Sequence, residues 1–574
     1  MQRATIGSLA ELRSTGLLTG KVGSQPVCVF WTEDQAFAVD DRCPHMGFPL
    51  HRGTVEHGLL TCHWHHARFD LASGGTLDPF ADDVRTHRVD IAGDDVVVTL
   101  HDEASAVDRH LRRLEEGLEQ GLNLVIAKAV LDLLDRLGPA RGAAAAFATG
   151  MQFGTRNRDA GWGAGLTVLT AMMNVLDRLD PADRGLALVH GLAFVSRDTR
   201  GRPPRFPLAP LSSAIPPERL ASWYRRFLDT RSGDAAERVL ATAAGCADQA
   251  ELARMMGTGV TDHVFVDGGH TIDFTNKAFE ALDHLGWERA AEVLPTLAHQ
   301  SAAASRSEET GTWRHPHDLA AILEPVQHGG APEPGDDRAS DQDIDRLAWT
   351  LLEDQPSGVV AGLDDACRRG ASYEQLARAV AYAAALRLVR FHTQNDHADW
   401  DEVHHGFTAA NAVHQLTRRA PDRWLARGIY QVAAKVFLDR FLNVPAARLP
   451  GRRAEASPPA DLDRLQECWD HQGMVDEAGS IVYHWVRSGK DQGAVIARLG
   501  AALLAEDAEF HWYQTYEAAV RQASAWPAGS EQAALILAGA ARFLAAHTPT
   551  RRELAQVVRI ATRLRRGDAL YEEL

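Results

Sequence analysis

The sequence predicts a multidomain chain: a small all-β domain followed by a large all-α body made of two related helical halves. Three observations predict it. Over the first hundred residues apolar side chains alternate in short runs such as Val96-Val97-Val98-Thr99-Leu100, a strand pattern. Beyond about residue 105 Ala and Leu become dense and apolar positions recur at helical spacing, as in LEEGLEQGLNLVIAKAVLDLLDRL, which reads as one amphipathic helix. Within that helical text, Phe153 to Trp162 (FGTRNRDAGW) is matched 238 residues later by Phe391 to Trp400 (FHTQNDHADW), and the match continues from RGLALVHGLAFVSRD to RGIYQVAAKVFLDRF. A fainter pair sets His270 to Leu282 against His511 to Val520. The expected domains are 1–105, 106–340 and 341–574, the last two joined by the Gly-, Pro- and Asp-rich stretch HGGAPEPGDDRASDQ. A chain of 574 residues is also too long for one core and predicts about three to five domains.

Composition narrows the function classes. The net charge of −17 argues against a nucleic-acid partner, which would need a basic surface. No apolar run reaches the roughly 18 residues of a membrane span, and MQRATIGSLAELRSTGLLTG carries no export signal, so a cytoplasmic location is expected. Six scattered cysteines fit a reducing compartment rather than a disulfide scaffold. Cys28, Cys246, Cys367 and Cys468 are expected to be buried small hydrophobes.

The other two cysteines belong to a motif. Cys43-x-His45 is followed, after sixteen residues, by Cys62-x-x-His65. Two sulfur and two nitrogen donors suit either a zinc ion or an iron–sulfur cluster. Gly47 and Pro49 after the first pair, and Gly74 and Gly75 after the second, supply tight turns around such a group. PVCVFWTEDQAFAVDDRCPHMGFPL and CHWHHARFDLASGGTLDP resemble the Rieske 2Fe–2S ferredoxin domain along nearly its whole length. The resemblance implies a cluster in which Cys43 and Cys62 hold one iron and His45 and His65 the other. His63 and His66 would then be solvent-edge or supporting residues. Met46 and Trp64 stand where respiratory Rieske proteins bridge the two loops by a disulfide, so the resemblance is to the soluble ferredoxin or oxygenase branch.

Eighteen of the 26 histidines lie beyond residue 105. His397, Asp401 and either His404 or His405 fall at helical i, i+4, i+7/8 spacing on one face, and Glu402 with His405 forms the Glu-x-x-His spacing used by helical di-iron proteins. A second cluster contains Asp262, His263, Asp267 and His270, and the repeat sets His270, His392 and His511 at comparable positions. His263, His270, His392 and His404 are therefore candidate catalytic residues, and His397, Asp401, Glu402 and His405 a candidate second metal site holding additional non-haem iron. His392 and His397 also match the His-x4-His part of the ring-hydroxylating oxygenase iron motif, but over 300 residues from the cluster and in helical text. His263 to Phe274 (HVFVDGGHTIDF) resembles a motif of questin-oxidase-like proteins, which implies oxidation of an aromatic or polyketide-like small molecule near His263 and His270.

These expectations combine into a Rieske-dependent oxidoreductase, in which electrons pass from the cluster to an oxidative site in the helical body. No Gly-x-Gly-x-x-Gly fingerprint follows a strand, so the electron donor is expected to be a separate reductase. The competing expectation is a redox-sensing or structural cluster on a helical binding scaffold without catalysis.

Overall fold

The structure, a computed structural model, describes residues 2–100, 106–158, 161–310, 317–335, 338–353, 355–395, 397–451 and 461–570, leaving out the side chains of 106, 397 and 398. It divides into two compact units, residues 1–150 with 554–574, and residues 151–553.

The first unit holds the strands. They are β1 (Arg3–Ser8), β2 (Leu17–Val22), β3 (Gln25–Thr32), β4 (Gln35–Asp40), β5 (Thr54–Glu56), β6 (Leu59–Thr61), β7 (Arg68–Asp70), β8 (Thr86–Ala92) and β9 (Asp95–Thr99). Helix α1 (Leu9–Thr15) joins β1 to β2. Six strands pair in the order β1-β9-β8-β4-β3-β2, and β5-β6-β7 form a second, smaller sheet, all antiparallel. The β3–β4 hairpin turns on Glu33 and Asp34, both with positive φ, the geometry that matches strand twist in a two-residue turn.

The period-2 alternation of β3 feeds two cores. Val27 and Val29 pack with Leu12, Leu18, Val96 and Val98. Cys28 and Phe30 point the other way, to Leu50, Leu60, Phe69 and the two motif cysteines. The cluster loops are thus seated on a hydrophobic floor.

The stretch expected as one helix is two: α2 (Ala106–Gln120) and α3 (Asn123–Leu137). Gly121 takes φ 70°, and the Leu122 amide donates back to the Gly117 carbonyl, so the first helix ends in a left-handed residue before the second begins.

The second unit is helical. The repeated sequence builds corresponding pairs, α4 (Ala164–Val175) with α5 (Arg184–Thr199) and α8 (His397–Arg419) with α9 (Arg427–Leu438). Between and after them come α6 (His270–Leu285), α7 (Tyr373–Val389), α10 (Phe510–Ser524) and α11 (Glu531–His547). Helices α7 and α11 are buried on nearly every face, as their Ala-rich sequences permit, and make the centre of the body. Around them α6 packs on α8, α8 on α10, and α10 on both α4 and α11. Among the described residues no helix is long and apolar enough to cross a membrane.

Candidate metal centres

In the first unit the motif occupies two loops. The first follows β4 and the second joins β6 to β7. Each is closed the same way, by the cysteine amide donating to the carbonyl five residues on: Cys43 to Phe48 at 2.7 Å and Cys62 to Ala67 at 2.9 Å. Asp41 pins the first loop, accepting from the His51 amide at 2.8 Å and pairing with its ring Nδ1 at 2.6 Å.

Both cysteines are buried and free of disulfides, and their side chains meet. Cys43 sulfur accepts from the His45 and Met46 amides, and Cys62 sulfur from those of Trp64 and His65. The hydrogen bond from Cys43, with those two amides, holds the Cys62 thiol down to about 6 against the opposing effect of burial. The Cys62 sulfur and burial push Cys43 up. Paired amides aimed at each sulfur suit anionic thiolate ligands.

The His45 and His65 rings meet edge to face with centroids 4.8 Å apart. Burial lowers both, His45 to about 4 with help from Lys128 and His65, so both imidazoles are neutral ligands at pH 7. His45 Nδ1 is buried without a hydrogen-bond partner, which is what a nitrogen reserved for a metal looks like. His65 is exposed, as are His63 and His66. The Trp64 ring lies 4.3 Å from His65 and 6.1 Å from Phe48, an apolar lid over the exposed edge. These features fit a 2Fe–2S group.

In the second unit, four histidines from three helices converge. His270 opens α6, His404 and His405 lie in α8, and His511 is the second residue of α10. His405 Nε2 and His511 Nε2 are 3.1 Å apart, the His270 ring lies 4.7 Å from His405 and 5.4 Å from His511, and His404 lies 4.1 Å from His511. Two nitrogens each about 2.0–2.1 Å from one metal would stand about 2.9–3.4 Å apart. Among the described residues, two sets of donor atoms lie within 4.8 Å of one another: His270, His405 and His511, and Asp401, His404 and His511.

Burial depresses every one of these imidazoles, His270 against the opposing Asp267 carboxylate, and neighbouring rings add to the effect at His404, His405, which reaches about 4, and His511, which reaches about 2. All four are neutral at pH 7. His404 is fully buried, with neither ring nitrogen hydrogen-bonded. Phe274, Phe510 and Phe543 wall the cluster.

The remaining sequence candidates go elsewhere. Glu402 accepts from Lys435 at 2.8 Å instead of joining His405. His263 pairs with Glu308 at 2.8 Å and Asp229 at 3.4 Å in a cavity of about 860 Å³ that Arg225 and Arg427 also line. His392 sits in the turn before α8, its Nδ1 accepting from the Gln394 amide. The side chain of His397 lies outside the described residues. Cys28, Cys367 and Cys468 are buried but Cys246 is exposed, because it follows the end of its helix rather than facing a core.

Sequence reasoning did not select His511 as a site residue, although the repeat had aligned it with His270. It also missed the polar ladder one turn further in. Asp273 and Gln514, each three residues after its histidine, hydrogen-bond to one another, and below them Lys277 donates to Glu280 at 2.8 Å and Glu517 at 2.7 Å. Burial pushes Asp273 up to about 7.

Comparison with known proteins bears on the first centre. The Rieske [2Fe-2S] domain family matches residues 2–105. The ferredoxin component of biphenyl 2,3-dioxygenase from Rhodococcus jostii (strain RHA1) is 31% identical over 101 residues, 17% of this chain and 94% of that protein. The human Rieske domain-containing protein is 28% identical over 122 residues, 18% of this chain and 78% of that protein. Mouse apoptosis-inducing factor 3 is 26% identical over 110 residues, 19% of this chain, and only 18% of its length is matched. The loop geometry and these relatives agree, and through its N-terminal domain the chain belongs to the Rieske [2Fe-2S] family.

Proposed function

We propose that the chain is an oxidoreductase in which a Rieske cluster, held by Cys43, His45, Cys62 and His65, passes single electrons to an oxidative metal site in the helical body. When bound, the 2Fe–2S group supplies one-electron transfer at a potential raised by its two imidazole ligands. The protein's own part is to aim backbone amides at both sulfurs, keep both imidazoles neutral, and leave His65 exposed as the point of electron exchange. A binuclear group is favoured over zinc because the Rieske [2Fe-2S] family matches residues 2–105 and a ferredoxin relative is 31% identical over 101 residues.

The second site is built from His270, His404, His405 and His511 with Asp401 at its edge. The observation that carries it is His404: a fully buried imidazole with neither nitrogen hydrogen-bonded, its Nδ1 3.7 Å from Asp401, pays a desolvation cost that a metal bond would offset. Neutral imidazoles with one carboxylate suit non-haem iron among the first-row metals. The phenylalanine walls fit an aromatic or polyketide-like small molecule. A separate reductase supplies the electrons.

Iron analysis with electron paramagnetic resonance on anaerobically purified protein tests this. More than two irons per chain are expected, and His405→Ala with His511→Ala should return the count to two while the Rieske signal persists. Two irons in the wild type, unchanged by those substitutions, would leave the helical body without a metal site.

A further inference from the structure

We propose that Lys128 sets the reduction potential of the 2Fe–2S centre, which makes the helix pair α2–α3, beyond the family match, a working part of the redox site. The inference rests on the ligand assignment above.

Lys128 projects from α3 onto the first cluster loop. Its Nζ donates to the Pro44 carbonyl at 2.5 Å, to the His45 carbonyl at 2.9 Å and to Asp82 at 3.2 Å, and its side chain is 12% exposed. Two of its three partners are thus backbone oxygens of the loop that carries Cys43 and His45. A cation this poorly hydrated acts over a low effective dielectric, so its field at the cluster is little screened. Reduction adds one negative charge to the centre, and a fixed neighbouring cation favours the reduced form.

The network around it is anchored. Asp82 accepts from Arg113 at 3.0 Å, and Arg113, from α2, also donates to the carbonyls of Pro79 and Ala81. Glu116 pairs with the far side of Arg113 and is half exposed. Two cations therefore flank one carboxylate beside the loop, and Lys128 is the one that touches it.

The test is the midpoint potential of the full-length, cluster-loaded chain, read by spectroelectrochemical titration with the Rieske resonance recorded on each variant. Lys128→Met should lower the potential, Lys128→Arg should keep it near the wild-type value, and Asp82→Asn should raise it. Equal potentials in wild type and Lys128→Met, both with intact Rieske resonances, overturn the proposal and leave the ligand assignment standing. If Lys128→Met does not load the cluster, Asp82→Asn decides by the sign of its shift. A wild-type chain with no Rieske resonance overturns both.

Discussion

Four neutral imidazoles pressed together, none carrying a positive charge at pH 7, define the helical centre at the scale of single residues. Their depressed pKa values make a pH prediction for the metal-free protein. His405 titrates near 4 and His511 near 2 in the folded chain, against 6.5 when unhindered. Below pH 6.5 the unfolded chain binds protons that the folded chain refuses, so stability is full above 6.5 and declines as pH falls through 4. Denaturant midpoints measured at pH 7 and pH 5 should show this drop, and His405→Asn with His511→Asn should flatten it. A drop of equal size in that double variant would place the sensitivity elsewhere. Residues of this kind were unevenly legible. The Cys-x-His and Cys-x-x-His spacing pointed to four side chains whose cysteines meet and whose imidazoles meet, because each loop is a local object. Glu402 was misleading, since Glu-x-x-His spacing specifies a helix face but not the partner, and Lys435 took the carboxylate. Lys128 left no trace, because its partners are backbone carbonyls distant in sequence.

At the scale of elements, the segment before α6 is the unusual one. Phe265, Asp267, Gly268 and Gly269 all have positive φ, a conformation that costs about 1–3 kcal/mol at each non-glycine position. The strained turn delivers His270 to the cluster, and Gly269 is hemmed in: a Cβ there would sit 2.8 Å from Ala409 of α8. Gly269→Val should therefore destabilise the protein by about 2–3 kcal/mol, visible as a lower Tm, and displace His270 enough to lose the iron proposed for the helical body with the Rieske signal unchanged. Retention of that iron would show that His270 is dispensable. The sequence showed this motif's residues but not its backbone. It also read α2 and α3 as one helix, because the amphipathic period runs through Gly121 and only the left-handed turn there interrupts it. Strand alternation, by contrast, is set by which face is buried, and β9 lies where it was expected.

Across the whole molecule, the all-β to all-α division was legible from periodicity. What periodicity could not reveal was which helix ends meet, since that depends on packing between segments hundreds of residues apart. The two candidate centres have different chemistry, one with two thiolates among its donors and one with imidazoles and the Asp401 carboxylate. A chelator of ferrous iron should strip the iron proposed for the helical site first, leaving two irons and an undiminished Rieske resonance. Simultaneous loss of both would contradict two separate centres. Their assembly also differs in time. Cys43 to His65 form one short stretch, complete early in synthesis, whereas His270 and His511 are 241 residues apart. On a translating ribosome the segment from Cys43 to His65 emerges long before α10. The helical site proposed above, which draws His270 and His511 from distant parts of its unit, must then await the folded body before it can take a metal.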